Sequence, residues 1–183
     1  MALDFSKGCV NFRDIGECVN IISSRSLLPI GKLFRGGKLD FITSAAQIYN
    51  PSTIINLRKS KDIQTFGAYV FDFPISNNYE KYETSNRQVR IWLNKVIKVF
   101  EDEYLAYPVL IHCTSGKDRT GVVVATLLKI LEIPDEVIVD EYLLSEGEVR
   151  FEWIEQAIAG IGNPECYFNR LNVEKVRRNI SNL

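Results

Sequence analysis

The sequence predicts an α/β fold, formed by one domain that takes up residues 1–183. Short apolar segments rich in β-branched and aromatic residues alternate with longer segments whose apolar residues recur at helical spacing. A length of 183 residues, with 46% hydrophobic and 25% charged residues, is typical of one globular domain. No internal repeat or low-complexity tract interrupts the alternation, so a single core is expected.

The first half of the chain contains most of the predicted strands. Their β-branched and aromatic runs are short and are bounded by turn residues. A short helix is predicted around residues 43–50, because Pro51 stops it. The predicted strands are residues 9–15, 19–22, 32–36, 52–57 and 68–75.

The second half is predicted to be mainly helical. Apolar residues at helical spacing from Ser85 to Tyr104 indicate an amphipathic helix that places Trp92 in the core. A strand at 108–111 precedes a helix from about Asp118 to Glu132, which is apolar on most sides and is expected at the centre of the domain. The remaining predicted helices are one that opens near Pro134, one that ends on Gly160 and Gly162, and a short basic one at 172–180.

Charge and cysteine content restrict the classes of partner. A formal net charge of -1 and a pI of about 5.9 predict no nucleic-acid partner, and no apolar run is long enough for stable membrane insertion. The start of the chain lacks secretory-signal features, which predicts a cytoplasmic protein and leaves secretion as an effector open. The cysteines form no CxxC pair, so neither a zinc site nor a dense disulfide framework is expected. No metal and no cofactor are predicted. Cys9, Cys18 and Cys166 are expected to be small buried packing residues.

The segment HCTSGKDRTG, residues 112–121, carries the reactive groups. It joins a predicted strand to a predicted helix, so the backbone N–H groups of residues 114 to 119 are expected to point inward without partners and form an anion cradle. Cys113 lies at its base, where these amides and the Arg119 guanidinium favour a nucleophilic thiolate. Arg119, six residues after Cys113, is expected to hold two oxygens of a tetrahedral anion. Thiolate and guanidinium together predict attack on phosphorus.

The other residues of this loop are expected to bind phosphate or to support the loop. Gly116 suits a backbone with positive φ around an anion. Thr120 is predicted to hydrogen-bond the Cys113 sulfur and help it leave as a thiolate. His112, the only histidine, either orients the loop through its ring nitrogens or is a satisfied core histidine. The predicted phosphate-binding residues are Thr114, Ser115, Gly116 and Lys117.

HC-x5-R followed by TG resembles the signature of the cysteine-dependent tyrosine phosphatases. The chain is similar to the bacterial tyrosine and dual-specificity phosphatases that also act on phosphoinositides, and to their fungal and plant relatives. Three more segments resemble this family in its order: NFRDIG, KLFRGGKLD and IPDEVIVDEYLLS. The resemblance implies a phosphatase fold with a central, mainly parallel sheet flanked by helices. It also implies two-step hydrolysis of a phosphorylated protein or a phosphoinositide through a cysteinyl phosphate.

The two-step scheme needs a general acid, and here the chain departs from many relatives. They carry an aspartate on a separate loop after a strand with a Pro-containing end, where this chain has Asn77 and Asn78. An amide cannot supply that proton well. Asn56 likewise stands where relatives often have an aspartate before Leu-Arg.

Asp118 is the remaining strong candidate for the acid, because it adjoins Arg119 inside the loop. Myotubularin-type lipid phosphatases resemble this arrangement. The alternative is that Asp118 only caps the helix that begins there. Asp72, Glu80 and Glu83 are fallback acids.

The family-like motifs also contain isolated charges, which we expect to support the scaffold rather than contact substrate. The tyrosines and Lys81 of residues 77–87 are expected to form a surface loop beside the site. Two other functions stay open at this stage: a phosphate-binding module that does not turn over, and a rhodanese-type sulfurtransferase. The isolated charges are Arg13, Asp14, Arg35 and Arg58.

Overall fold

Five strands form one mixed, mostly parallel sheet at the centre of the structure, a computed structural model that describes residues 8–183. The strand order is β1-β2-β5-β3-β4, with β1 antiparallel to β2 and the other pairs parallel. The strands are β1 Arg13–Asp14, β2 Leu33–Gly36, β3 Thr53–Asn56, β4 Tyr69–Asp72 and β5 Val109–His112. The α/β fold with a central, mainly parallel sheet is therefore confirmed.

Helices pack mainly on one face of this sheet. The helix after β5 is buried along almost its whole length, as its apolar sequence predicts, and it lies between the sheet and the other helices. The opposite face is covered by a smaller cluster that includes Phe12, Phe34, Ile48 and Leu110. The helices are α1 Ile15–Ser23, α2 Arg87–Lys98, α3 Asp118–Ile130, α4 Asp135–Leu143, α5 Phe151–Ile161, α6 Pro164–Tyr167 and α7 Val173–Ser181, with 3₁₀ helices at Ala45–Ile48 and Val99–Glu101.

The predicted strand at 19–22 is wrong, because these residues belong to α1. Asp14 caps this helix by accepting a hydrogen bond from the Glu17 amide, which starts the helical geometry directly after β1. Ile15, Cys18 and Val19 are then buried on one face. A cap and helical spacing thus override the β-branched composition of the segment.

The predicted helix from 85 to 104 is too long at its end. It is α2, followed by the 3₁₀ turn Val99–Glu101, and the chain leaves helical geometry at Asp102. The Asp102 carboxylate accepts a hydrogen bond from the Tyr104 amide, a local turn that competes with a further helical turn. Tyr104 is consequently 85% exposed, whereas Trp92 is buried as predicted.

The cysteine predictions are confirmed for Cys9 and Cys18 and wrong for Cys166, which is exposed. Burial raises the pKa of the Cys9 and Cys18 thiols to about 12, so both remain uncharged packing groups. Cys166 lies on α6, a single turn capped by Asn163 that the sequence analysis does not predict.

Among residues 8–183, no helix is long and apolar enough to cross a bilayer. The start of the chain, on which the prediction about a secretory signal rests, lies outside the described residues.

Candidate active site

The segment from Cys113 to Lys117 leaves the sheet at the centre of its carboxyl-terminal edge. β5 is the middle strand, and its last residue, His112, is level with Gly36 of β2 on one side and with Asn56 of β3 on the other. In α/β sheets, this edge is where loops gather and ligands bind. The reactive segment is thus held between two buried neighbouring strands and the start of α3.

Three groups outside the loop hold its carbonyl oxygens. The Lys38 amide donates to the Thr114 carbonyl at 3.0 Å, Asn11 Nδ2 to the Ser115 carbonyl at 2.8 Å, and Arg35 Nη2 to the Gly116 carbonyl at 2.9 Å. In a trans peptide, the carbonyl and the following N–H point to opposite sides. The N–H groups of residues 115, 116 and 117 are therefore turned away from these three anchors.

These N–H groups are unpartnered inside the protein. Within residues 8–183, no acceptor takes a hydrogen bond from the backbone amides of residues 114–120. The first turn of α3 adds its own free amides to the same region, since α3 begins at Asp118. The loop therefore has the donor arrangement of an anion cradle, with the positive end of a helix beside it.

Gly116 is required by both conformation and space. Its φ of +67° lies in the left-handed region, as predicted for this position. A Cβ built there would lie 2.5 Å from the carbonyl carbon of Gly36. A side chain would push the loop away from β2 and from the donors that orient its carbonyls.

Cys113 lies at the base of this loop and is 1% exposed. Arg119 folds back over the loop, where its Nη1 donates to the Leu57 carbonyl and its Nη2 to Thr114 Oγ1, each at 3.0 Å. The guanidinium is therefore held at the loop and is not turned into bulk water. The structure thus places Arg119 against Thr114, the residue next to Cys113, and the catalytic roles of Cys113 and Arg119 stay predictions.

A buried ion cluster supports the loop from below. Arg13 Nε donates to Glu141 Oε1 at 2.8 Å, and Arg35 Nη1 donates to Glu141 Oε2, so one carboxylate joins two guanidinium groups. Arg13 also donates to the Glu141 carbonyl and to Ser145 Oγ, each at 2.9 Å. Because Arg35 in turn holds the Gly116 carbonyl, the cluster connects α4 to the cradle. The expectation that Arg13 and Arg35 support the scaffold is confirmed.

Charge interactions inside the cluster oppose the cost of burial. Burial alone would raise the pKa of Glu141, but the charges of Arg13 and Arg35 hold this pKa below its ordinary value. Burial, with the nearby charge of Arg13, lowers the pKa of Arg35 to about 10, so Arg35 stays charged at neutral pH. The cluster is therefore an ionised group of two cations and one anion in the interior.

His112 is buried, and each of its two ring nitrogens lies near an oxygen atom. Nε2 lies 2.8 Å from Asp62 Oδ2, and Nδ1 lies 3.4 Å from the Cys113 carbonyl. Asp62 also contacts Arg58, whose Nη1 lies 3.0 Å from Asp40 Oδ1. The ring therefore lies between the Asp62 carboxylate and the first carbonyl of the loop, and its role in orienting the loop stays a prediction.

Asp118 takes part in a hydrogen-bonded chain with two tyrosines. The Tyr82 hydroxyl donates to Asp118 Oδ1 at 2.8 Å and lies 2.7 Å from the Tyr142 hydroxyl. Burial, reinforced by the hydrogen bonds to Tyr142 and Asp118, raises the pKa of Tyr82 well above its ordinary value, so Tyr82 remains a donor. The Tyr82 hydroxyl has one proton and donates it to Asp118. In the contact between the two tyrosines, the Tyr142 hydroxyl is therefore the donor and the Tyr82 oxygen the acceptor.

The other oxygen of Asp118, Oδ2, lies 3.9 Å from Lys117 Nζ. In the described chain, no backbone amide donates to this carboxylate, so the structure gives no support to the capping role. Tyr82 belongs to the predicted loop 77–87, which therefore does adjoin the site.

The fallback acids are less well placed. Asp72 ends β4, two strands away from β5, and its Oδ1 accepts a hydrogen bond from Asn56 Nδ2 at 2.9 Å. Glu80 and Glu83 are exposed, and Glu80 Oε1 accepts the Tyr82 amide at 3.3 Å. Of the carboxylates considered, Asp118 is the one inside the loop.

Thr120 is buried, and its hydroxyl oxygen has no hydrogen-bond partner among residues 8–183. The predicted bond to the Cys113 sulfur is thus not formed in this structure. Its predicted role with the sulfur as a leaving group stays a prediction.

Three site residues escape the sequence analysis: Asn11, Asp62 and Glu141. Asn11 and Glu141 do lie inside the family-like segments, which is the one signal that could have identified them. Asp62 carries no such signal. Tyr82 lies in the loop 77–87 expected beside the site, but its hydrogen bond to Asp118 is not predicted.

The described residues contain no group of three or more His, Cys, Asp or Glu side chains placed to hold a metal ion. A cavity of about 790 Å³ between α4 and α5 contains none of the loop residues. The candidate site is therefore identified by its side chains and backbone donors rather than by cavity volume.

Known proteins resemble this chain in both sequence and fold. The triple specificity protein phosphatase PtpB of Mycobacterium tuberculosis is 37% identical over 75 residues, which cover 41% of this chain and 26% of PtpB. A tyrosine-protein phosphatase of Nostoc commune is 41% identical over 61 residues, covering 31% of this chain and 20% of that protein. The chain thus aligns with about a quarter or less of the length of these relatives.

The core catalytic domain of the PP-IP phosphatase SIW14 from S. cerevisiae shares the fold, with a TM-score of 0.53 at 20% identity. The superposition covers 78% of this chain and 92% of that domain. A sequence model of the tyrosine phosphatase family matches residues 5–176, which include every element of the site described above. Because this match covers most of its length, the chain belongs to the tyrosine phosphatase family.

Proposed function

We propose that this chain hydrolyses phosphate monoesters through a phosphorylated Cys113. The observation that carries the proposal is the loop itself: three carbonyls anchored outward, a row of unpartnered amides, a buried Cys113 at its start, and Arg119 held against Thr114. Membership of the tyrosine phosphatase family supports it and does not favour a sulfurtransferase. We propose residues 1–183 as one phosphatase domain, since its large core cluster includes residues from α1 through α7.

In the first step, the Cys113 thiolate attacks the phosphorus of a substrate bound in the cradle. The amides of Thr114, Ser115, Gly116 and Lys117 and the Arg119 fork hold the equatorial oxygens, whose charge they stabilise in the transition state. The bond from phosphorus to the leaving oxygen breaks as the sulfur–phosphorus bond forms. Asp118 gives its proton to that oxygen.

In the second step, water attacks the phosphocysteine. The Asp118 carboxylate takes a proton from this water, the sulfur–phosphorus bond breaks, and the electron pair returns to Cys113 as a thiolate. Inorganic phosphate then leaves the cradle. Thr120, directly behind the loop, is proposed to donate to the departing sulfur.

We propose phosphoproteins as the main substrates, with phosphoinositides as a second class of phosphate monoester. The similarity to PtpB, a triple specificity protein phosphatase, supports a site that accepts more than one kind of phosphate ester. We also propose a cytoplasmic location, because a nucleophilic thiol stays reduced in that compartment.

The proposal is tested by hydrolysis of p-nitrophenyl phosphate, with the Cys113→Ser variant as the control. We expect turnover by the natural chain and none above background by the variant, because serine lacks the thiolate nucleophile. Rapid acid quench with a ³²P-labelled substrate should trap label on the natural protein alone. Equal rates for the two proteins would exclude Cys113 as the nucleophile, and absent turnover would leave a phosphate-binding module.

Tyr82→Phe should lower kcat for alkyl phosphates by about tenfold and change hydrolysis of p-nitrophenyl phosphate much less. The substitution removes the hydroxyl that orients Asp118 but keeps the ring, which stacks on Trp153 with centroids 5.6 Å apart. Misplacing a catalytic acid slows the reaction that most needs its proton. Steady-state kinetics on both substrates checks this, with the exposed Tyr69→Phe as control. An equal loss on both substrates would point to a structural role for Tyr82 instead.

A further inference from the structure

Positive charge is concentrated in a groove of about 520 Å³ along α2. Its lining contains no acidic residue, and apart from the cations it consists of two asparagines and one isoleucine. Such a concentration is unexpected in a chain whose formal net charge is -1. We call it the α2 groove; its cations are Arg87, Arg90, Lys95, Lys98 and Arg170.

Most of these cations are not neutralised within the described chain. Lys98 pairs with Glu101 at 2.8 Å. Arg90 is fixed without a carboxylate, because it donates to the Tyr167 carbonyl at 2.7 Å and lies 5.0 Å from the centroid of the Tyr167 ring. For the other three cations, residues 8–183 provide no carboxylate within ion-pair distance. Their summed field therefore attracts anions.

The α2 groove continues towards the candidate active site. A second cavity, of about 490 Å³, shares Ile91 and Lys95 with it and extends to Asp72 at the end of β4. Asn56 pairs with both Asp72 and His112, so Asp72 lies two strand spacings, or about 10 Å, from the start of the loop. A chain leaving the second cavity at Asp72 therefore has about 10 Å, or roughly three extended residues, to span before it reaches the loop.

The dimensions fit an extended peptide. From residue 87 to residue 98, α2 rises about 16 Å, which is the length of roughly five residues in extended conformation. A membrane-binding face normally combines its basic residues with exposed apolar or aromatic anchors. The groove has Ile91 alone among apolar lining residues, which favours a soluble polyanion over a lipid surface.

We infer that the α2 groove binds an acidic segment of a phosphoprotein substrate, next to the phosphorylated residue in the sequence. The inference rests on the proposed phosphatase function and assigns its substrate class: proteins with a run of Asp and Glu close to the phosphosite. The groove contributes binding energy and orientation, and the cradle performs the chemistry.

The test compares a phosphopeptide that carries five acidic residues beside the phosphosite with one that carries five serines. The natural chain should show a kcat/KM about tenfold higher for the acidic peptide, through a lower KM. The double variant Lys95→Glu/Arg170→Glu should remove this preference and leave p-nitrophenyl phosphate hydrolysis unchanged. The preference should also fall as salt is raised to 1 M, where screening shortens the Debye length to about 3 Å.

Arg25→Glu/Lys32→Glu is the matched control, because it makes the same charge change in the segment between α1 and β2, on the side of the sheet away from β4. It should keep the preference for the acidic peptide. Equal kcat/KM values for the two peptides on the natural chain, or the same loss in both double variants, would overturn the inference.

A binding measurement separates this inference from the proposed activity. Fluorescence anisotropy of a labelled acidic peptide without phosphate should show salt-sensitive binding to the natural chain and about tenfold weaker binding to Lys95→Glu/Arg170→Glu. Such binding without p-nitrophenyl phosphate turnover would contradict the proposed phosphatase activity and support peptide binding by the α2 groove. Turnover without peptide binding would contradict only the proposal that the α2 groove binds an acidic segment. Binding to vesicles of phosphatidylcholine and phosphatidylserine, but not to the peptide, would also contradict the inference.

Discussion

Asp118→Asn is expected to slow the hydrolysis of alkyl phosphates by at least about 10²-fold, the usual contribution of a general acid. An alkoxide is a poor leaving group and needs the proton, whereas p-nitrophenolate leaves almost without help. The loss on p-nitrophenyl phosphate should therefore be much smaller. Asp118 Oδ1 is occupied by the Tyr82 hydroxyl, which leaves Oδ2 to carry the transferable proton.

The measurement is kcat for phosphoserine and p-nitrophenyl phosphate, with Asp140→Asn as control, since Asp140 is exposed on α4. A series of aryl phosphates should show a steeper dependence on leaving-group acidity in the Asp118 variant than in the natural chain. If both substrates lose activity equally, Asp118 is not the acid. Asp72→Asn would then be the next variant to measure.

Glu141→Gln is expected to lower the free energy of unfolding by about 3 to 5 kcal/mol, because it leaves two buried guanidinium groups without their anion. The amide cannot accept from both arginines with a full negative charge, and one of its NH₂ protons would face a donor. Activity should fall as well, because Arg35 holds the Gly116 carbonyl that orients the cradle.

Urea unfolding of the natural chain and of the variant measures this difference. Glu136→Gln, on the exposed side of the same helix, should change the free energy by less than about 0.5 kcal/mol. Similar losses in the two variants would show that the ion cluster is not a main stabilising feature.

The pH dependence of the Glu141 effect follows from the direction of its pKa shift. The arginines lower the pKa of Glu141 below its ordinary value of 4.5, so its stabilisation is fully present above that pH. It is lost as the pH falls through the lowered pKa, where the folded protein must also take up the proton. The difference in stability between natural chain and variant should be constant at neutral pH and should shrink in acid.

Much of the fold can be predicted from local sequence. β2, β3, β5 and α3 are predicted within two residues of their observed ends, because the strands are short apolar runs bounded by turn residues and α3 is one long apolar run. The strand predicted at 68–75 runs three residues past the end of β4. The wrong prediction of a strand at residues 19–22 arises because tertiary structure there overrides the local composition. The β-branched residues Val19, Ile21 and Ile22 favour a strand. The helix forms instead because Asp14 caps its start and one of its faces is buried.

The sequence by itself determined the nucleophile, the anion-binding arginine and the glycine with positive φ, because they lie within one continuous loop whose backbone geometry is local. Tertiary structure alone decided what holds that loop. Asn11 lies 104 residues from Ser115, Arg13 lies 128 residues from Glu141, and Tyr82 lies 36 residues from Asp118. Spacing along the chain carries no information about such pairs, because the packing of the sheet against α3 and α4 sets which side chains meet.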